Sequence, residues 1–281
     1  MPRRSFIAAL AVLALLATAC EPRGQVGRRP TPQPSGSYPS SMAALGDSVT
    51  AGFGACLALV SCERNSWATG DGLRVDSHYR MIADANRAMR GHAYNFAVPR
   101  ARAADLGGQV EGAVRAKVEY VTLLVGANDA CRPAAADMTS PAAFRSSVDA
   151  ALASLKKGLP KARVLVVSVP DLYRLWQIGH TNTRAVRSWS YGVCPSLLAA
   201  PTSQAATDVS RRQAVRDRVA AYNRELAGAC RAYGSRCRYD GGAAHKVAFT
   251  IEMLNPLDYF HPDADGQNTL ASVTYPGRFT W

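Results

Sequence analysis

The chain has 281 residues, 33 of them basic and 21 acidic, for a formal net charge of +12. Five of the arginines and one acid stand before residue 41, so the remainder carries 28 basic and 20 acidic residues, a net of +8. No motif for nucleic acid accompanies that charge; it suits attraction to anionic headgroups or cell-wall polymers, or a well-solvated surface.

The first twenty residues set the compartment. Arg3 and Arg4 precede an uncharged apolar run over residues 6–16, and Ala17-Thr18-Ala19 supplies the small-x-small pattern of a signal-peptidase site. Eleven apolar residues are too few for a bilayer span, which needs about 20 in a helix. Residues 1–19 are therefore expected to be an export signal. Leu16-Ala17-Thr18-Ala19-Cys20 resembles a bacterial lipobox, with Leu16 four places before the cysteine rather than three. Lipidation of Cys20 is expected, with plain secretion as the alternative. Arg3-Arg4-Ser5-Phe6-Ile7 also resembles a twin-arginine signal, which leaves the export route open. Residues 20–41 hold five prolines (Pro22, Pro30, Pro32, Pro34, Pro39) among Gly and Ser and read as a flexible tether. Residues 42–281 are long enough for one sizeable core.

In that body, apolar runs alternate with amphipathic helical patterns, as in a parallel sheet flanked by helices. Strands are predicted at residues 42–46, 93–97, 120–125 and 164–169, the last stopped by Pro170. Continuous apolar runs of this kind suit strands covered on both faces. Phe144, Val148, Leu152 and Leu155 mark a helix bounded by Pro141 and Gly158, and Val215, Val219, Tyr222, Leu226 and Tyr233 mark another. Residues 172–206, with Tyr173, Trp176, Trp189 and Tyr191 among arginines, read as a long irregular segment that serves as a substrate-side wall or lid, with a disulfide-pinned loop as the alternative.

Setting Cys20 aside leaves six cysteines, an even set that in an oxidising compartment argues for disulfides among 15 pairings. Cys56 with Cys62 and Cys230 with Cys237 are close in sequence, which leaves Cys131 for Cys194. That long bridge contributes about 4 kcal/mol by loop entropy. Zinc is the rival for the cysteines, but neither Cys-x2-Cys nor paired-His spacing occurs.

Polar groups just beyond strand ends are where an open α/β sheet binds ligands. Gly46-Asp47-Ser48-Val49-Thr50-Ala51-Gly52 follows the first strand, with Ser48 expected at the N-terminus of a helix, where an oxyanion is favoured. Gly126-Ala127-Asn128-Asp129 follows the third and offers an amide donor. Asp258-Tyr259-Phe260-His261-Pro262 lets one loop present a carboxylate and the imidazole it orients. Each alone is an ordinary turn or loop. Together and in this order they resemble the GDSL/SGNH hydrolases, over residues 42 to about 273.

The resemblance implies a three-layer flavodoxin-like α/β fold, with Ser48 as nucleophile, His261 as general base and acid, and Asp258 as its orienter. It implies an oxyanion hole from the Ser48 N–H, Asn128 and a third donor that the family takes from a glycine. Asn95-Phe96-Ala97-Val98-Pro99-Arg100-Ala101-Arg102-Ala103 resembles that block, with Arg100 in the glycine's place. Arginine has an N–H too, so Arg100 keeps the donor if its φ is negative, and its guanidinium is then free for a substrate phosphate or carboxylate. Residues 95–106, Ser66-Trp67 and Cys131 are similar to the phospholipase B-like branch.

The expected activity is acyl transfer through an acyl-enzyme, with neither metal nor organic cofactor. The expected substrate is a lipid or lysophospholipid ester, with a carbohydrate O-acetyl ester as runner-up. A cell-surface binding module with a decayed site is the non-enzymatic alternative. The expected setting is a monomer outside the cytoplasm, at the membrane through its N-terminal anchor or secreted, with no nucleic-acid partner.

Overall fold

The computed structural model describes residues 38–281; the export signal, Cys20 and the tether up to residue 37 lie outside the described residues. The sheet is parallel throughout: β1 (Met42–Gly46), β2 (Ala93–Asn95), β3 (Tyr120–Leu124), β4 (Arg163–Val166) and β5 (Cys237–Tyr239), in the order β2-β1-β3-β4-β5. Met42 pairs with both Ala93 and Tyr120, and Tyr120 with Arg163, so the carboxyl ends of these strands share one edge. This is the doubly wound order in which the chain reverses direction between β1 and β3, leaving a crevice beyond their carboxyl ends.

Every residue of β1 and β3 is buried, which requires cover on both faces. One layer is α2 (Leu106–Arg115), α4 (Pro141–Gly158) and α8 (Ala206–Tyr233), packed side by side. The other includes α1 (His78–Ala85) and α9 (Ala264–Thr274), joined where His78 Nε2 meets Thr274 Oγ1 at 3.0 Å. Short helices α3 (Ala127–Ala130), α5 (Leu172–Gly179), α6 (Thr183–Trp189) and α7 (Pro195–Leu198) lie in the connections.

The local chemistry explains the boundaries. Ser140 caps α4 by accepting from Ala143 N–H at 3.2 Å, Pro141 starts it, and Phe144, Val148, Leu152 and Leu155 form its buried stripe. Val215, Val219, Tyr222 and Leu226 do the same for α8, which ends at Gly234 with φ +105°. β2 stops two residues short of the prediction, because Asn95 turns its Oδ1 onto the Ala97 N–H (3.1 Å) and its Nδ2 onto the Thr50 carbonyl (2.8 Å). β5 was not predicted. It is a three-residue edge strand, and Cys237-Arg238-Tyr239 has no apolar run to announce it.

Residues 172–206 are not irregular. The Asp171 side chain caps α5 and that of Asn182 caps α6, and Gly179 lets the two helices close, since a Cβ there would lie 2.3 Å from the Trp189 ring. Three disulfides form, Cys56–Cys62, Cys131–Cys194 and Cys230–Cys237, the pairing expected from spacing. No helix among the described residues is long and apolar enough to cross a membrane.

Candidate active site

Ser48 owes its position to the two residues before it. Gly46 ends β1 with φ +148°, and a Cβ there would sit 2.0 Å from the Leu124 carbonyl oxygen, so glycine is required. Gln109 of α2 clamps the same residue from both sides: its Oε1 accepts from Gly46 N–H (2.7 Å) and its Nε2 donates to Gly46 C=O (3.0 Å). Asp47 is then fully buried while Ser48 lines a cleft. The expected helix after Ser48 is absent. The segment is a run of turns, with Ala51 N–H on the Asp47 carbonyl (3.0 Å) and Phe53 N–H on the Ser48 carbonyl (2.9 Å). Glycines at 52 and 54, both with positive φ, keep it from continuing as a helix. The macrodipole invoked for Ser48 is thus reduced to single turns.

Asp258 and His261 come from the loop before α9. Asp258 Oδ1 accepts from the N–H groups of Phe260 (2.9 Å) and His261 (3.1 Å), which bends the loop so that Oδ2 meets His261 Nδ1 at 2.6 Å. A carboxylate only accepts, so Nδ1 carries the proton and Nε2 is left as the acceptor. Ser48 Oγ lies 2.9 Å from that Nε2. The structure therefore brings together the three residues expected as a triad, across 213 positions of sequence. The loop is braced by α6: Trp189 Nε1 donates to the Tyr259 carbonyl (3.3 Å) and Ser188 Oγ to that of Leu257 (2.7 Å).

The two other expected donors line the same cleft. Asn128 stands in α3, and one of its Nδ2 hydrogens is held by the Ala101 carbonyl at 3.1 Å, leaving the second without a partner among the described residues and available to an oxygen in the cleft. Arg100 does not take the negative φ expected of it. Its φ is +70°, and Ala101 N–H donates to Val98 C=O at 3.0 Å around Pro99-Arg100. Proline followed by a positive φ is the pattern of a type II turn, where glycine is the usual third residue. The loop has kept the backbone that a glycine would take and forced an arginine into it.

Beneath Ser48 lie two buried carboxylates. Burial pushes Asp47 up to about 7, opposed mainly by the Val49 N–H that donates to its Oδ1 at 3.0 Å; Oδ2 has no hydrogen-bond partner among the described residues. Burial also raises Asp129, which accepts from Ala103 N–H at 3.0 Å. Asp47 feels His261 as a favourable charge and Asp129 as an unfavourable one.

The cleft has a volume of about 520 Å³ and opens beyond the ends of β1 and β3. Tyr191 to Pro195 form one side of it, pinned by Cys131–Cys194, so that part of 172–206 is a wall as expected. Tyr173, Trp176 and Trp189 do not line it. Trp189 is buried behind the triad loop, and Trp176 is stacked on His180 and covered by the Arg212 guanidinium. Neither Gln109 nor Arg132 is foreseen from the sequence, and Trp189, expected on the wall, braces the loop of Asp258 and His261 instead. Arg132 directly follows Cys131 and lines the cleft, with its Nε buried and without a hydrogen-bond partner among the described residues. Its place just beyond Asn128-Asp129 was the available signal. No cluster of three or more His, Cys, Asp or Glu able to hold a metal occurs among the described residues.

Residues 44–268 match the model of the GDSL-like lipase/acylhydrolase family. Similar solved structures include a GDSL-like protein from Parabacteroides merdae (13% identity, covering 83% of this chain and 92% of that one, TM-score 0.54). An acetylxylan esterase from Geobacillus stearothermophilus is similar too (15%, 86% and 94%, TM-score 0.51). So is phospholipase A1 from Streptomyces albidoflavus (17%, 84% and 98%, TM-score 0.50). At these identities the likeness is one of fold. No curated protein matches the chain significantly in sequence.

Proposed function

Since the chain belongs to the GDSL-like lipase/acylhydrolase family, we propose that it is an exported, monomeric serine ester hydrolase that acts on lipid or lysophospholipid esters through an acyl-enzyme on Ser48. The observation that carries this reading is the hydrogen-bonded series Ser48 Oγ, His261 and Asp258, open to the cleft.

Ser48 Oγ attacks the ester carbonyl as His261 Nε2 takes its proton, and Asp258 Oδ2 stabilises the imidazolium through Nδ1–H. The tetrahedral oxyanion is met by the Ser48 N–H, the free hydrogen of Asn128 Nδ2 and the Arg100 N–H. Collapse expels the alcohol with the proton from Nε2. Water then attacks the acyl-enzyme, again giving its proton to Nε2, and the acid leaves with Ser48 restored. Apolar Phe53, Leu59 and Phe260 beside the cationic Arg100 and Arg132 favour a substrate with an acyl chain and an anionic group. Export belongs to the same reading: three disulfides suit an oxidising compartment, and residues 1–20 carry the signal pattern.

A panel of p-nitrophenyl esters beside lysophospholipid and acetylated xylan tests the assignment. Hydrolysis of the esters and of lysophospholipid, lost in Ser48→Ala, is the expected result. Turnover of acetylated xylan alone would move the substrate to carbohydrate, and no turnover of any ester would leave a binding module.

A further inference from the structure

Of the large apolar side chains exposed among the described residues, all but Leu73 and Val273 line the cleft or stand close in sequence to residues that do. Leu59 and Tyr191 line it, and Leu57, Val60, Val98 and Leu257 each lie within two residues of a lining residue. Three of these six belong to one loop, Cys56-Leu57-Ala58-Leu59-Val60-Ser61-Cys62, which holds no charge. An uncharged loop of such residues ordinarily folds inward. Here Leu57 and Val60 are each 56% exposed.

The loop is built to hold that shape. Cys56–Cys62 closes it, Gly54 N–H donates to the Val60 carbonyl at 3.1 Å, and Leu57 N–H to the Gly54 carbonyl at 3.2 Å. Leu57 sits at φ +62°, a conformation costly for leucine that persists only where the surroundings enforce it. Beside the loop, Arg100 and Arg132 line the cleft and neither is ion-paired among the described residues. The flanking Glu63 and Arg64 offset one another.

We propose that the Cys56–Cys62 loop docks the cleft onto an anionic lipid surface, with Leu57, Leu59 and Val60 among the acyl chains and Arg100 and Arg132 toward the headgroups. Apolar anchors and unpaired cations on one face match the layering of such a surface, and neither suffices alone. A second copy of the chain docked face to face would set arginine against arginine. The purpose of the docking rests on the lipid-ester reading above, but the contact itself does not require turnover.

The test therefore uses Ser48→Ala protein, cosedimented with vesicles of phosphatidylcholine alone or mixed with phosphatidylglycerol. Binding to the mixed vesicles, weakened by salt, is expected. Leu57→Asn with Val60→Ser should weaken it at least about tenfold, since two apolar anchors are lost. Asparagine tolerates the positive φ at 57. The same pair of changes in the active chain should leave p-nitrophenyl acetate turnover unchanged and the melting temperature no lower than that of the wild type. Independently, fluorescence from Leu57→Trp should be quenched by brominated acyl chains beyond the wild-type level. Vesicle binding unaffected by the loop changes, no extra quenching, or a dimer that the loop changes dissolve would overturn the proposal. Vesicle binding by a chain that hydrolyses no ester would retain it and defeat the function proposed above.

Discussion

The two ends of the sheet each hold an imidazole with both nitrogens hydrogen-bonded, and they differ in what those nitrogens meet. At the amino end, His78 is fully buried between Tyr120 Oη (3.1 Å) and Thr274 Oγ1 (3.0 Å), with Trp67 edge-on at 5.0 Å. At the carboxyl end, His261 meets Asp258 Oδ2 and Ser48 Oγ beside an open cleft. Hydroxyls on both sides in a sealed core give a fixed neutral ring. A carboxylate on one side and the hydroxyl of a cleft-lining serine on the other give a ring with its Nδ1 proton fixed and its Nε2 facing Ser48 Oγ. The residue type says nothing of this; the partners decide it.

The largest effect should fall on turnover at the carboxyl end alone. His261→Ala, Ser48→Ala and the double variant are each expected to lose at least about 10⁴-fold in kcat, the double scarcely more than either single, because triad members act as a unit. Steady-state ester hydrolysis measures this, and additive losses would break the unit. Asn128→Ala is next, at about 10²- to 10³-fold in kcat on every ester, with KM little changed. His78→Ala should do the reverse. It leaves the Tyr120 hydroxyl without its buried partner and opens a cavity, for a loss of about 3 kcal/mol in chemical denaturation while kcat at low temperature holds.

Acid and base should separate the two ends as well. Burial lowers His78 to about 3, so its contribution is full above the unfolded value of 6.5 and is lost as pH falls toward 3. Burial raises Asp47 to about 7, so the stability gained by keeping it neutral is full below its unfolded 3.8 and is lost as pH rises through 7. Asp47→Asn should therefore flatten the decline in unfolding free energy between pH 5 and 8 by on the order of 2 kcal/mol relative to wild type. An unchanged slope would mean that Asp129, also raised by burial, carries that titration.

Much of this contrast was legible in the sequence at one end and hidden at the other. Ser48 and Asn128 announced themselves as polar types just beyond β1 and β3, which are continuous apolar runs, and Asp258 and His261 as a carboxylate and an imidazole three residues apart that complete the same ordered set of motifs. The three disulfides followed from spacing and an even count. His78 carried no signal, since a core histidine is defined by Tyr120 and Thr274, 42 and 196 residues away. Trp189 and Trp176 read as wall residues because aromatic type does not reveal direction. The capping side chains of Asp171 and Asn182, which make helices of 172–206, look like loop residues until the helix is seen. The φ of Arg100 depends on the turn closed by Val98 and Ala101, and residue type alone argued for the opposite sign. The smallest effect tests that point: Arg100→Gly should stabilise the fold by about 1 kcal/mol while leaving short neutral esters nearly unaffected. A large gain in turnover would show that arginine had spoiled the donor.

The central claim is that Ser48, activated by His261, is a nucleophile. Labelling with a fluorophosphonate probe followed by peptide mapping tests it most directly. The account predicts one covalent adduct on Ser48, absent in Ser48→Ala, strongly slowed in His261→Ala and formed at the normal rate in His78→Ala. An intact, folded protein that takes up no probe, or one labelled elsewhere, would contradict it.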